Sequence, residues 1–540
     1  GSEEAGTVPF FNLWTLQWNI DQQMQGYPRY WDVPIFAPDK GTFAFSEPQP
    51  LSALLAAPLW LASGSPALGY NAVVILFLTL NGWFAYWLLR QWGLPPLPSL
   101  LAGLLMQALP FVAQEMGVLQ LIAIFGFLWS LLFLSRFLSS SPRQLRQNSF
   151  CLALGTPITF LTCGYYGLFS LFFLPLAFLF QLRRGHLNLK IVGQLLAIAL
   201  AATALTGPFL WAQQQRLAVY QFTRSAQTIE NNSAKLAYYR NFLDYNLPYR
   251  RILGLKSAQG QRLFPGLGLL VLAGLGLFGG QQKRIKLYLI LAVALALLLS
   301  LGLRLNVGGV QPYQWARDYV PGFAQLRSPF RFAVLVQLHL ALLAGFGLYN
   351  LGRWVGIDAN NLAKIIAAER MRIAVRTPNL INTSAPKLVL TGVALLAIFE
   401  ALALPLPLQA VPIQVEPTTW QAWLNEQNGP AHIVLLPFAQ SSKVEDFEQT
   451  TRWMLANRYF TGDMLNGYSG FFPPDHGRVR DVMLNFSAAK SIPLLQQKGI
   501  AYVVVYHGLA KAPASAEIER YLPLVYRDEG ENVAIYALRE

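Results

Sequence analysis

Cysteine occurs twice in these 540 residues, at 151 and 163, and histidine five times, at 186, 339, 432, 476 and 507. No cysteine pair has zinc-ligand spacing and the histidines are scattered, so a structural zinc site or a His-based metal centre finds no support. Cys151 and Cys163 fall in one predicted apolar span, roughly 18 Å apart along a helix axis, too far for a disulfide between them. They read as small apolar fillers. A phosphate-binding glycine loop and a nucleophile elbow are also missing, which removes the common soluble-enzyme signatures. Charge is sparse: 13% of residues are charged against 54% hydrophobic. That is the composition of a polytopic membrane protein, not of a soluble enzyme with a large core.

What the chain has instead is a series of apolar stretches. Crossing ~30 Å of hydrocarbon takes about 20 helical residues, and helix satisfies the backbone where lipid offers no partner. The predicted spans are 69–90, 98–113, 118–138, 149–164, 166–182, 191–211, 264–280, 286–303, 331–351 and 388–405. Lys and Arg gather in alternate connections: Arg136, Arg143 and Arg146; Arg183, Arg184 and Lys190; Lys283, Arg284 and Lys286; and Arg353 to Lys387. The positive-inside rule makes those connections cytoplasmic. It places residues 1–68, the Glu115 turn, the Cys163 to Tyr166 turn, the loops 212–263 and 304–330, and everything after 405 on the opposite, extracytoplasmic side. Such a start without a preceding span leads to the expectation of one more span upstream. The net charge of +14 belongs largely to this pattern and does not point to nucleic acid. Two long outer loops are also basic, a candidate functional signal that a solvated surface or headgroup contact explains equally well.

Residues 1–50 are rich in aromatics, acids and Pro; Trp14, Trp18, Tyr27, Tyr30 and Trp31 suit a membrane interface, and 8–24 is predicted as an interfacial helix. Residues 51–62 are too short to cross and are predicted to be re-entrant or to lie flat. The glycine-dense span 264–280 indicates close helix packing. His339 falls inside a span, where bonding to a neighbouring helix is the plain reading. Residues 353–387 read as an amphipathic basic helix on the inner headgroups, followed by a polar linker. After Pro405 the pattern turns to soluble α/β: HIVLLPF (432–438), IAYVVVY (500–506) and NVAIYAL (532–538) read as strands, and SIPLLQQKG as a helix that Gly499 ends. A small mixed or parallel sheet follows.

Candidate chemistry rests on carboxylates near the outer face: Glu3, Glu4, Asp21, Asp32, Asp39, Glu47, Glu115 and Asp318. Several converging beside a bilayer would bind a divalent cation or supply a general base. Glu115 stands out, because AQEMG is a very short turn between apolar spans. For Glu47 in SEPQP, a capped turn before a short helix is the competing reading.

The segments YWDVPIFAPDKGTFAFSEPQPLSALLAAPLW, GYNAVVILFLTLNGWFAYWLLR, QEMGVLQL, VPGFAQLRSPFRF and NGYSGF resemble, over nearly the whole chain, bacterial multispan proteins related to the GT-C glycosyltransferases. The resemblance implies a polytopic α-helical membrane protein with an outer first loop and interfacial helices (1–68), a transmembrane domain (69–405) and a small extracytoplasmic α/β domain (406–540). It implies sugar transfer from a polyprenyl-phosphate carrier to a saccharide, lipid or protein acceptor on the outer face of a bacterial cytoplasmic membrane. GSEEAGTVPFFNLW resembles the opening of the first outer loop, whose acidic residue is the base, which implies Glu3 or Glu4; the usual residue there is Asp. Glu115 corresponds to a second acidic position in the next outer turn, a ligand if the reaction uses Mg or Mn.

Inverting transfer needs a base for the acceptor hydroxyl and a cation for the leaving phosphate. Glu3, Glu4 and Glu47 are the candidate bases. Arg327 and Arg331, then Arg250 and Arg251, are the candidate phosphate ligands; anchoring a span end at the headgroups is the alternative for the first pair. A transporter or flippase of lipid-linked saccharides is the main rival, but its ionisable groups would sit near the midplane. A non-catalytic scaffold for cell-envelope assembly is the third reading.

Overall fold

The computed structural model describes residues 6–182, 189–370, 384–404, 417–427 and 429–538. The first described helix, α1 (Thr7–Gln25), is followed by α2 (Pro50–Ser63), α3 (Pro66–Gln91), α4 (Pro96–Gln107), α5 (Pro110–Gln114), α6 (Phe125–Leu138), α7 (Pro142–Thr162), α8 (Gly164–Gln181) and α9 (Leu189–Tyr220). The short α10 (Ala226–Asn231), then α11 (Leu267–Leu277), α12 (Lys283–Ser300), the short α13 (Pro312–Tyr319), α14 (Ala333–Arg370) and α15 (Ser384–Ala401) complete the helical body. Beyond it lie α16 (Thr419–Asn425), β1 (His432–Leu436), α17 (Glu448–Ala456), α18 (His476–Leu484), α19 (Ala488–Gln497), β2 (Ile500–Tyr506), α20 (Ser515–Ile518), β3 (Leu524–Asp528) and β4 (Val533–Ala537).

Each of the ten predicted spans overlaps a helix. Among the described residues, six helical segments are long and apolar enough to cross a bilayer: Pro66–Gln91, Pro96–Gln114, Leu119–Leu138, Gly164–Gln181, Leu189–Tyr220 and Pro329–Val355. The chain is an integral membrane protein. The span expected at 264–280 is shorter than read: α11 has 11 residues, about half a bilayer at 1.5 Å per residue. Gly266 (φ +98°) precedes it and Gly279 (φ +81°) follows it, conformations that end a helix. Its glycines do pack closely. A Cβ on Gly276 would collide with the Leu343 carbonyl, and one on Gly347 with the Leu272 carbonyl, so α11 and α14 cross backbone to backbone. His339 on α14 bonds the hydroxyl of Tyr288 on α12 at 2.9 Å, as expected of a polar group inside a span.

The basic amphipathic helix expected after 353 is not separate: α14 runs unbroken to Arg370, and residues 371–383 lie outside those described. Cys163 is buried in the break between α7 and α8 instead of sharing a helix with Cys151, and both thiols are free.

The second departure is α1. It was expected at the membrane interface, yet Phe10, Phe11, Leu13, Trp14, Leu16 and Ile20 are buried, and so are Asn12, Thr15, Gln17, Asn19 and Gln22. A helix covered all round carries no single apolar stripe. Its neighbours are α2 on the membrane side and α17 on the C-terminal side. Its polar groups are individually bonded, as burial demands: Asn19 Nδ2 donates to the carbonyls of Thr15 and Pro48 (both 2.7 Å), and Gln17 Nε2 to that of Leu455 (3.3 Å).

The C-terminal sheet has the order β1-β2-β4-β3, with β1 and β2 parallel and the other pairs antiparallel. The helix read at SIPLLQQKG is α19, and Gly499 (φ +68°) turns the chain into β2. β3 was not foreseen; Leu524, Val525 and Arg527 of this edge strand are exposed, so it lacks a buried apolar run. Residues of the first segment join this unit: Phe36 N donates to Asn466 O (3.2 Å), Ala37 N to Met464 O (3.0 Å) and Met464 N to Pro34 O (3.1 Å).

Candidate functional site

A cavity of 980 Å³ lies where the membrane helices, the first segment and the C-terminal unit meet. Glu47, Glu115, Arg224, Arg327 and Arg331 all line it.

Glu47 follows the 3-10 turn Thr42–Phe45 and precedes α2. Its Oε1 accepts the backbone N–H of Tyr165 at 3.1 Å, in the first turn of α8, where helix N–H groups lack intrahelical acceptors and favour negative charge. A Cβ on Gly164 would stand 3.0 Å from that oxygen, so the helix start is open enough to receive it. Oε2 is buried and has no hydrogen-bond partner. Burial raises the Glu47 pKa above the ordinary carboxylate value, and the Arg331 charge, the Tyr165 and Gly164 N–H groups and the Gln120 amide pull it partly back. Glu115 is also buried, at the C-terminal end of α5, and accepts from Gln114 Nε2 at 3.1 Å.

Arg331 sits where a short 3-10 turn leads into the long α14 span. It is 9% exposed, its guanidinium stands 4.4 Å from the centroid of the Tyr165 ring, and its Nε is buried without a partner. Both Glu47 and Glu115 lie within its electrostatic reach.

Arg224, just beyond α9, is held by the C-terminal unit. Its guanidinium is 3.6 Å from the Phe471 ring centroid and Nη2 donates to the Gly470 carbonyl, while Nε has no partner. Phe471 is itself stacked on Phe222 at 4.6 Å. Burial, reinforced by the positive charge of Arg327, brings Arg224 down to about 10, so it stays cationic at neutral pH. Arg327 makes no ion pair among the described residues. Two arginines at one cavity wall are the donor type that recognises carboxylate and phosphate groups. Phe45, Leu168, Leu217 and Phe330 supply apolar wall, and Leu171 and Trp211, 50% and 66% exposed on neighbouring spans, carry it toward the lipid-facing surface.

Four of the expected residues, Glu47, Glu115, Arg327 and Arg331, are therefore brought together. Glu3 and Glu4 lie outside the described residues. Arg250 and Arg251 do not line the cavity. They lie on the π-helical turn Leu247–Ile252, which Asn246 ties to α15 by donating to the Glu400 carbonyl at 2.8 Å. Asp21, Asp39 and Asp32 have structural roles: Asp21 pairs with Arg458 (3.1 Å), Asp39 with Lys498 (3.9 Å), and Asp32 accepts the Gly41 N–H (2.7 Å). Asp318 accepts from Gln314 at 2.8 Å on the exposed face of α13.

Arg224, Tyr165 and Gln120 were not singled out from the sequence. Nothing local distinguishes Arg224 from the other arginines of its loop. Among the described residues no group of three His, Cys, Asp or Glu side chains converges; Glu47 and Glu115 are the carboxylates that line the cavity.

No family model matches the sequence, and no curated protein sequence matches it. Among solved structures, the oligosaccharyltransferase of Archaeoglobus fulgidus in the apo form is similar at TM-score 0.44 and 12% identity, over 93% of this chain and 66% of that one. The archaeal oligosaccharyltransferase AglB from the same organism, in complex with an inhibitory peptide and a dolichol-phosphate, gives 0.44 and 13% over 93% and 65%. ArnT from Cupriavidus metallidurans in the apo state gives 0.41 and 13% over 97% and 92%. The chain thus spans just under two thirds of the length of the archaeal proteins.

Proposed function

We propose that this protein transfers a sugar from a polyprenyl-phosphate carrier to an acceptor hydroxyl or amide, in a cavity at the extracytoplasmic face of a bacterial cytoplasmic membrane. The observation that carries the proposal is the convergence of two carboxylates, Glu47 and Glu115, and three arginines on one 980 Å³ cavity with apolar walls. An anionic phosphate on an apolar tail calls for that combination.

In this reading Arg224 and Arg327 hold the carrier phosphate, and the tail leaves past Leu171 and Trp211. Glu47 is the base. The acceptor heteroatom attacks the anomeric carbon and its proton passes to the Glu47 carboxylate. The bond from the anomeric carbon to the phosphate oxygen breaks, and the electron pair leaves with polyprenyl phosphate, whose added charge the arginines stabilise. Glu115 balances Arg331 and keeps that guanidinium from closing on Glu47 as a fixed ion pair. Tyr468 and Ser469, which line the cavity from the C-terminal unit, stand on the acceptor side.

A transporter would place its polar pathway at mid-membrane. One polar pair within the spans, His339 and Tyr288, is fully buried and bonded to itself and to the Leu335 carbonyl (2.6 Å), with the His339 ring between Phe127 and Phe173.

The test uses the full chain in nanodiscs with a panel of polyprenyl-phosphate sugars. We expect polyprenyl phosphate to bind, and one donor to be consumed with release of the free carrier. Movement of donor between leaflets of proteoliposomes without any breaking of the sugar–phosphate bond would replace the enzyme with the transporter.

A further inference from the structure

A second cavity, of 730 Å³, lies at the far ends of the same helices. Helix α8 begins beside Glu47 at Gly164 and ends in this second cavity at Gln181. That length is about 26 Å at 1.5 Å per residue, close to the thickness of the hydrocarbon layer. Likewise α9 enters the second cavity at Ile191 and reaches the first at Leu210. The two cavities thus occupy opposite faces of the membrane body.

The second cavity is polar and basic. Lys283 and Arg284 line it, no acidic residue does, and neither cation makes an ion pair among the described residues. Arg284 spends one N–H on the Leu182 carbonyl (2.8 Å). Gln181 adds an orphan donor: its Oε1 accepts from Ser135 Oγ at 2.6 Å, while its Nε2 is buried with no partner. The N-terminus of α12, 18 residues long, opens at the same place with no side chain capping its first-turn N–H groups. Free helix N–H groups, two unpaired cations and an unpartnered amide surround a space bounded by Ser139 and Ser140.

We propose that this pocket binds the phosphate of an anionic phospholipid headgroup, in the leaflet opposite the first cavity. A phosphodiester takes N–H donors at a helix N-terminus and charge from Lys and Arg together. Basic pockets between spanning helices at a cytoplasmic surface suit such headgroups. The site is independent of the reading of the first cavity.

The experiment measures lipid retained by the full chain, purified in detergent and offered phosphatidylglycerol or phosphatidylcholine, by native mass spectrometry. Wild type should retain phosphatidylglycerol preferentially. The double variant Lys283→Ala, Arg284→Ala should weaken that retention by roughly fivefold for each cation removed. Gln181→Met, which leaves every charge in place, should weaken it as well, so a folding or topology defect in the double variant does not decide the matter. Equal retention of the two lipids, or wild-type retention in both variants, would overturn the proposal. Saturation by inorganic phosphate with no preference for phosphatidylglycerol would overturn it too, leaving a free-phosphate site.

Discussion

Replacing Glu47 by Gln separates chemistry from architecture at one atom. Gln keeps the shape and an Oε1 acceptor for the Tyr165 N–H, now 3.1 Å away; it loses only the charge and the proton-accepting capacity. Burial raises the Glu47 pKa, so its ionised form is disfavoured in the folded protein. Stability linked to this group is fully present below the unfolded value, near 4.5, and is lost as pH rises through the higher folded value. At neutral pH the isostere should therefore melt no lower than wild type. Transfer should fall by a factor of roughly 10²–10⁴, the usual contribution of a positioned base. Wild-type turnover should rise with pH in a window above 4.5, as Glu47 ionises, and the residual turnover of the variant should lose that rise. The assay is release of polyprenyl phosphate at saturating donor, with a melting curve on the same sample. If Glu47→Gln melts normally and keeps more than about a tenth of the turnover, far above what loss of a base allows, Glu47 is a turn cap and the mechanism is wrong. Glu47→Ala gives a weaker test, because it also strands the Tyr165 N–H at a cost of about 1–3 kcal/mol.

Phe471→Ala removes the ring beneath Arg224; loss of a desolvated cation–π contact, about 2 kcal/mol, should raise the donor KM roughly 30-fold with a smaller change in kcat. Phe471→Tyr should restore it, and a drop confined to kcat would contradict the positioning role. Arg327→Ala should abolish donor binding, whereas the double variant Arg250→Ala, Arg251→Ala should leave it intact; equal losses in a polyprenyl-phosphate binding assay would return those two arginines to the site. Gly347→Val drives a side chain into the Leu272 carbonyl, and since a backbone atom cannot step aside like a rotamer, a loss of about 3 kcal/mol or more is expected. A wild-type melting temperature in that variant would show that α11 and α14 cross less tightly than described.

The spans and the C-terminal strands were legible because each rests on a local pattern: a long apolar run, or a short β-branched one. The limits have physical causes. Burial of α1 was hidden because aromatic and amide side chains look alike whether lipid headgroups or another part of the chain covers them. Edge strand β3 has exposed Leu524 and Val525 and so lacks the apolar contrast that marks β1 and β2. Glu47, Glu115, Arg327 and Arg331 could be proposed because each is a charge placed against apolar sequence. Arg224 could not. Its meaning comes from Gly470 and Phe471, the former 246 positions away, and no local window contains that relation.

The insertion of α1 between the membrane helices and α17 also has a consequence in time. Gln17 finds its acceptor at Leu455, and the Phe471 N–H reaches the Phe45 carbonyl at 2.9 Å. At about 5–20 residues per second, roughly 20–90 s of synthesis separate Glu47 from the residues that close its cavity. Throughout that interval the Gln17 amide of α1 lacks its Leu455 acceptor, and the part of the helix that meets α17 has no cover. The cavity thus closes late in synthesis, and a ribosome that stops anywhere before residue 471 leaves a set of membrane helices whose cavity lacks its C-terminal wall.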